Sequence, residues 1–168
     1  MLNPIDTDRV IRDGGAVGAF PGQIHEAVAW WLGTCLVVTQ GAGQIAVAHN
    51  GHPVIAEFAD RFCRGAVNAQ HYACTVQSLG LRTRDRLLAA IEDLGGVPGA
   101  WLLAESNEGG TTVRIKLFHR HGVEFDESNG LVEIRRMIAQ DRVPIPVNDR
   151  AKGRIAPWPN DLTEVGHL

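Results

Sequence analysis

A three-layer α/β/α domain built on a mixed, mostly parallel sheet is predicted by three observations. Short apolar runs of β-type residues alternate along the chain with segments whose apolar residues recur at helical spacing, the pattern that strands covered by helices leave in a sequence. Glycine and proline punctuate nearly every junction between them. At 168 residues and 45% hydrophobic composition, the chain has the size and apolar content of one self-sufficient core.

The elements follow in order. Residues 1–22 carry Asp, Gly and Pro around one short apolar piece, Arg9-Val10-Ile11-Arg12, which reads as an entry strand or hairpin. From Gln23 the period changes: Ile24, Val28, Trp31 and Cys35 form one stripe on a helix continuing into Leu36. Gly41-Ala42-Gly43 breaks it. Gln44 to Ala48 suits a buried strand, closed by Asn50-Gly51. Pro53 then favours a helix start, and Ile55, Phe58, Phe62 and Ala66 give that helix an apolar face to about Val67. Tyr72 to Val76 is β-branched and aromatic enough for a strand, with Ser78 to Thr83 as the loop behind it. Leu87, Leu88, Ile91 and Leu94 line the next helix, and Gly95-Gly96 offers the left-handed stop. Ala100–Ala104 and Thr112–Phe118 are two further strands, separated by the polar turn Ser106 to Gly110. A last helix runs from about Asp126 to Gln140 with Leu131, Ile134 and Ile138 inward. Prolines at 144, 146, 157 and 159 exclude regular helix beyond Arg142. The expected organisation is one domain over 1–142 and a proline-rich extended arm over 143–168.

A net charge of −3 and a pI near 6.1 argue against nucleic acid as a partner, since that affinity rests on neutralising several phosphates. No apolar run approaches the roughly 18 residues of a membrane span, and no basic-then-apolar leader opens the sequence. The odd set Cys35, Cys63 and Cys74 reads as buried thiols of a reducing compartment, so a cytoplasmic protein is expected. His49-x-x-His52 and His119-x-His121 are generic pairs without a third metal ligand signalled. Gly14-Gly15-x-x-Gly18 lacks the strand–turn–helix context of a dinucleotide site. Trp30 and Trp31, about 100° apart on one helix, cannot both face one core; one is left for an interface or for the proline-rich tail.

Four segments, in order, resemble the first domain of the phosphoglucomutase/phosphomannomutase (phosphohexomutase) family. Ile11-Arg12 with Val17-Gly18, and the helix near Gly33, is similar to the family's opening DIRG…VG strand and first helix. Ser78-Leu79-Gly80-Leu81-Arg82-Thr83 resembles its DLGLVPT loop, with Arg84 in place of a proline. Ala104-Glu105-Ser106-Asn107-Glu108, followed by Ile115-Lys116-Leu117-Phe118, resembles TASHNP…NGIKLF, and the serine-to-lysine spacing of ten is kept. The likeness covers roughly residues 9–140.

The resemblance implies a domain-I-like fold and a link to sugar-phosphate chemistry. By it, Ser106 would carry a phosphoryl group, Lys116 would be the proton-handling cation, and Arg12 a charge partner. Mg2+ would meet the chain only through a phosphate on Ser106, with its remaining ligands from a partner. The departures from the pattern are specific. Asn107, Glu108 and Gly109 replace the family's histidine, asparagine and proline, and Ala48 to His52 stands where GRDTR is expected. The metal, sugar and phosphate-clamp loops (DGDGDR, GEMSGH and SGTEP) have no counterpart in these residues. The expectation is therefore a binding or assembly module unable to run a full mutase cycle alone. The alternative is the phosphoserine-bearing part of a split mutase. Partners would be a second copy, or a protein supplying the missing domains, with a sugar phosphate as possible ligand. The assembly would bury at least about 1,000 Å2.

Overall fold

The computed structural model describes residues 5–69, 73–143 and 153–158. Its elements run α1 (Thr7–Val10), β1 (Gly15–Phe20), α2 (Glu26–Gln40), β2 (Gln44–His49), α3 (Ile55–Val67), β3 (Thr75–Leu81), α4 (Arg84–Asp93), β4 (Gly99–Asn107), β5 (Gly110–Phe118), a 3-10 turn (Arg120–Gly122), α5 (Leu131–Ala139) and β6 (Arg154–Pro157). One six-stranded sheet has the order β1-β5-β4-β2-β3-β6. β2 is parallel to both β3 and β4, and β6 is parallel to β3. β5 is antiparallel to both β1 and β4. The sheet is thus mixed and mostly parallel.

Two cores flank it, as expected of a covered α/β sheet. Alternation along the strands sends Ile45, Val47, Val76, Leu102, Ala104, Val113 and Ile115 to one face, where they pack with Val28, Leu32 and Leu36 of α2, Phe58 and Phe62 of α3, and Leu131 and Ile134 of α5. Ala46, Ala48 and Phe118 face the other way, against Leu87, Ala90 and Ile91 of α4. Across the α2–α3 crossing, a Cβ on Gly33 would lie 2.2 Å from the Phe62 carbonyl oxygen, and one on Gly65 2.1 Å from that of Trp30. The two helices approach backbone to backbone.

Several boundaries differ from the sequence expectation. Arg9 to Arg12 is not a strand: Thr7–Val10 is a helical turn, its last residue buried with Ile11, and the strand begins at Gly15. The pair Val10-Ile11 supplies the same two buried side chains in either conformation, which is why a short run misleads. The third strand lies later than Tyr72 to Val76, and Tyr72 is outside the described residues. Ser78 to Leu81, expected as loop, belongs to β3. A register shift puts Val47 opposite Ser78 and Ala48 opposite Gly80, leaving Leu79 as the extra residue of a bulge. Gly80 has φ +71° there, so the glycine that signals a turn in the sequence instead permits the bulge.

The β4–β5 turn is shorter than the expected polar loop. Both strands reach nine residues and Asn107 pairs with Gly110, so only Glu108 and Gly109 connect them. The last helix starts at Leu131 rather than Asp126, whose carboxylate accepts from the Ser128 N–H and Oγ in a tight turn. In the arm, Arg154–Pro157 adds to the edge of β3, and Trp158 packs against the α4-side core. Trp31 leans on the α2-side core and meets His25 edge-on at 5.5 Å; Trp30 is partly exposed and outside both cores. Cys35, Cys63 and Cys74 are buried free thiols. Among the described residues no helix is long and apolar enough to cross a membrane.

Candidate functional site

The parallel strands β2, β3 and β4 end on the same side of the sheet, the side on which sites of open α/β sheets gather. Ser106 lies there, exposed, as the penultimate residue of β4 and directly across from Thr111. Its Oγ is 2.9 Å from Thr111 Oγ1 and 2.8 Å from His52 Nε2. His52 comes from the β2–α3 connection, and Asn50 secures that connection. The Asn50 backbone N–H donates to the Leu102 carbonyl (3.0 Å). Its side-chain amide then acts as a further peptide rung, donating to the Ala104 carbonyl (2.9 Å) and accepting from the Ala104 N–H (3.3 Å) and the His52 N–H (3.3 Å). The ladder between β2 and β4 is extended by a side chain beyond the end of β2.

The direction of the histidine bond follows from the other ring nitrogen. The Val54 N–H donates to His52 Nδ1 at 3.1 Å, so Nδ1 presents its lone pair and the proton sits on Nε2. His52 therefore donates to Ser106 Oγ and cannot take its proton. Thr111, the other side chain bonded to Ser106 among the described residues, is a hydroxyl and no base. The cluster is not a serine–histidine nucleophile of the kind that needs an adjacent acceptor. His49 is built the same way: its Nδ1 accepts from the Gly51 N–H (3.0 Å), which leaves the proton on Nε2. Burial lowers its pKa from the ordinary 6.5.

Arg12 and Lys116 are not with Ser106. Thr111 and Lys116 are five rungs apart on β5 in an unbroken register, roughly 17 Å at strand rise. An odd number of rungs also puts their side chains on opposite faces. Lys116 pairs with Gly15 at the start of β1, and its Nζ donates to the Asp13 carbonyl at 3.0 Å. Arg12 reaches Asp13 too, Nη1 to Oδ2 at 2.6 Å, while its Nε donates to the Arg9 carbonyl. The two cations gather around Asp13 at the amino end of the sheet. No arginine or lysine is hydrogen-bonded to Ser106 among the described residues.

His52, Thr111 and Asn50 are neighbours of the Ser106 strand end that the sequence did not single out for it; the sequence shows His52 only as half of a generic histidine pair. For Asn50 and His52 the partners are 54 residues away, and no local pattern announces such a contact. Among the described residues, no three His, Cys, Asp or Glu side chains converge as a metal would require. The Ser106 neighbours, one imidazole and one hydroxyl, do not fit magnesium, which takes oxygen ligands in near-octahedral array.

No protein-family model matches this sequence, and no curated protein does. Solved structures do. A phosphoglucomutase/phosphomannomutase family protein from Burkholderia thailandensis superposes with a TM-score of 0.69 at 15% identity, covering 95% of this chain and 35% of that one. A protein from Thermus thermophilus assigned as a phosphomannomutase gives 0.61 at 20% identity, covering 100% of this chain and 37% of that one. The chain spans about a third of the length of these structures. The likeness establishes the fold.

Proposed function

We propose that these residues form a phosphohexomutase-fold module, related to sugar-phosphate metabolism, that binds or assembles and does not by itself complete a mutase cycle. The observation that carries the reading is the separation of charge from the serine: Arg12 and Lys116 are held on Asp13 at the amino end of the sheet, while Ser106 stands at the carboxyl end. Phosphoryl transfer depends on positioned cations at the transferring group, and here neither cation is within reach. Magnesium would need ligands from outside these residues. The experiment is a coupled assay of the purified chain with glucose 1-phosphate and mannose 1-phosphate, Mg2+ and a bisphosphate activator. No turnover is expected; steady turnover abolished by Ser106→Ala would overturn the reading.

One observation favours the second reading, a phosphoserine-bearing part of a mutase completed by another chain. Ser106 Oγ is exposed at a strand end and already receives an N–H from His52, a donor that a phosphoryl oxygen on Ser106 would also accept from. Intact mass of the protein from its native cell separates the two: an added mass of about 80 Da, one phosphate group, mapped to Ser106 supports the second. For assembly, the partly exposed Trp30 is the contact we favour, since aromatic residues are enriched at interface cores. Light scattering at high micromolar concentration is expected to find a dimer or a co-purifying partner, and a clean monomer would reject that part.

A further inference from the structure

A cleft lies between α3 and the β2–β3–β6 side of the sheet, with neither Ser106 nor His52 in its lining. It is a half-open cleft of about 210 Å3, lined by Val47, His49, Ala56, Ala59, Asp60, Cys63, Ser78 and Ile155. Its shape follows from the sequence. Val47 and Ser78 are register partners on the α3-facing side, and Ile155, partner of Val76, shares that side as the outer wall. The part of α3 above them carries alanines, too short to fill the gap.

The polar groups are few. His49 Nδ1 is occupied by the Gly51 N–H, so Nε2–H is the donor that remains, and nothing among the described residues accepts from it. Ser78 Oγ likewise has no partner among them. Asp60 Oδ2 accepts from Arg64 Nε at 2.9 Å, which leaves Oδ1 as an acceptor. Although a serine, a histidine and an aspartate line one cleft, they are not a hydrolytic triad: the His49 nitrogen that is left carries a proton and cannot act as a base toward Ser78. Burial lowers the pKa of this imidazole and so favours its neutral form.

The balance of the lining selects the ligand. Five of the eight side chains are aliphatic or thiol and three are polar. A monosaccharide presents hydroxyls all around its ring, and against three polar groups several would be buried unpaired, each at a desolvation cost. A phosphate finds a carboxylate in the lining and no arginine or lysine. A planar nitrogen heterocycle has two apolar faces and a polar edge, which is the inventory the cleft offers. A cavity of ~150 Å3 accepts a benzene ring, so this one holds a ring system of about ten non-hydrogen atoms.

We propose that the α3–β3 cleft is a binding site for a small uncharged aminated heterocycle of nucleobase size, with His49 Nε2–H donating to a ring nitrogen, Asp60 accepting from the amino group, and Ser78 at the edge between them. The site is separate from Ser106 and does not rest on the function proposed above. Adenine titrated into 15N-labelled protein is expected to shift the amides of His49, Ala59 and Ser78 saturably, with a dissociation constant on the order of 1 mM. Ala59→Leu, which fills the cleft, is expected to weaken binding at least about tenfold, a loss of ~1.4 kcal/mol. Ser78→Ala, which leaves the packing untouched, is expected to weaken it about threefold or more, a loss of at least ~0.6 kcal/mol. Glucose and inorganic phosphate, run in parallel, are expected to leave those amides unmoved. Absence of saturable shifts at several times that concentration, equal affinity in both variants, or matching shifts with glucose would each overturn the assignment.

Discussion

Replacing Asn50 by alanine tests whether one side-chain amide holds the candidate site together. Asn50 makes three side-chain bonds, two to the backbone of Ala104 and one from the His52 N–H. Ala104 is 2% exposed, so Asn50→Ala leaves a buried N–H and a buried carbonyl without their partner. Each unsatisfied buried group costs about 1–3 kcal/mol. The half-buried position of Asn50 lets water return to part of the gap, which brings the expected loss to ~2–3 kcal/mol, or roughly 5–10 °C in Tm for a chain of this length. Urea unfolding followed by far-UV circular dichroism measures it. The functional consequence is read separately: with the β2–α3 connection released, the His52 Nε2–H should exchange with solvent faster, which long-range 1H–15N spectra detect. A variant within about 0.5 kcal/mol of the parent, the range of an ordinary surface change, with the His52 proton still protected, would refute the idea that Asn50 organises the site.

Three further outcomes are expected. Gly65→Ala should lose about 1–2 kcal/mol in the same assay, because a methyl 2.1 Å from the Trp30 carbonyl forces two helix backbones apart at a cost that exceeds the ~1 kcal/mol gained in helix propensity. An unchanged midpoint would mean the crossing is more compliant than its geometry indicates. Burial raises the pKa of Cys35, Cys63 and Cys74 from 9.0 to about 12. The native thiols should therefore resist alkylation at pH 8, and, because the folded form holds its protons longer than the unfolded one, stability should stay level below pH 9 and decline as pH rises toward 12. Fast labelling of the native protein would contradict this. Burial lowers the pKa of His25 and His49; at acid pH the unfolded state then binds more protons, so stability should fall as pH drops through 6.5 and below, and His49→Phe should flatten that fall.

The fold was legible wherever pattern and length agreed. Val28, Trp31 and Cys35 of the expected stripe lie on α2, while Ile24 precedes its start at Glu26; the face Ile55, Phe58, Phe62 gave α3, and the apolar runs around Ile45, Leu102 and Ile115 gave the central strands. What stayed hidden depends on partners elsewhere in the chain. Prolines beyond Arg142 exclude helix and leave an extended arm, and only pairing with β3 makes Arg154–Pro157 a strand, at an edge that tolerates Pro157 on its outer side. Ser78 to Leu81 reads as loop because of Gly80, and only the register against β2 makes it a bulge. In both places the local signal was real, and pairing decided its meaning.

The candidate site shows the same limit more sharply. A spacing of ten between Ser106 and Lys116 places both residues at one site only if a loop carries the serine, so that the chain between them can fold back. Here Asn107 pairs with Gly110, the connection shrinks to two residues, and the spacing becomes a distance along a ruled ladder. Ser106 then belongs to the rung of Thr111, and each residue beyond it moves one rung away and changes face. Lys116 ends on the α4 side at the far end of the sheet, bonded to Asp13. The letters resemble a motif, but in this fold they lie along paired strands. In its place the fold brings up His52 from the neighbouring connection, and the Val54 N–H on its other nitrogen makes it a donor. Ser106 accepts a hydrogen bond from its histidine, and Arg12 and Lys116 lie at the opposite end of the sheet, so the spacing in the sequence and the neighbourhood in the fold are two different things.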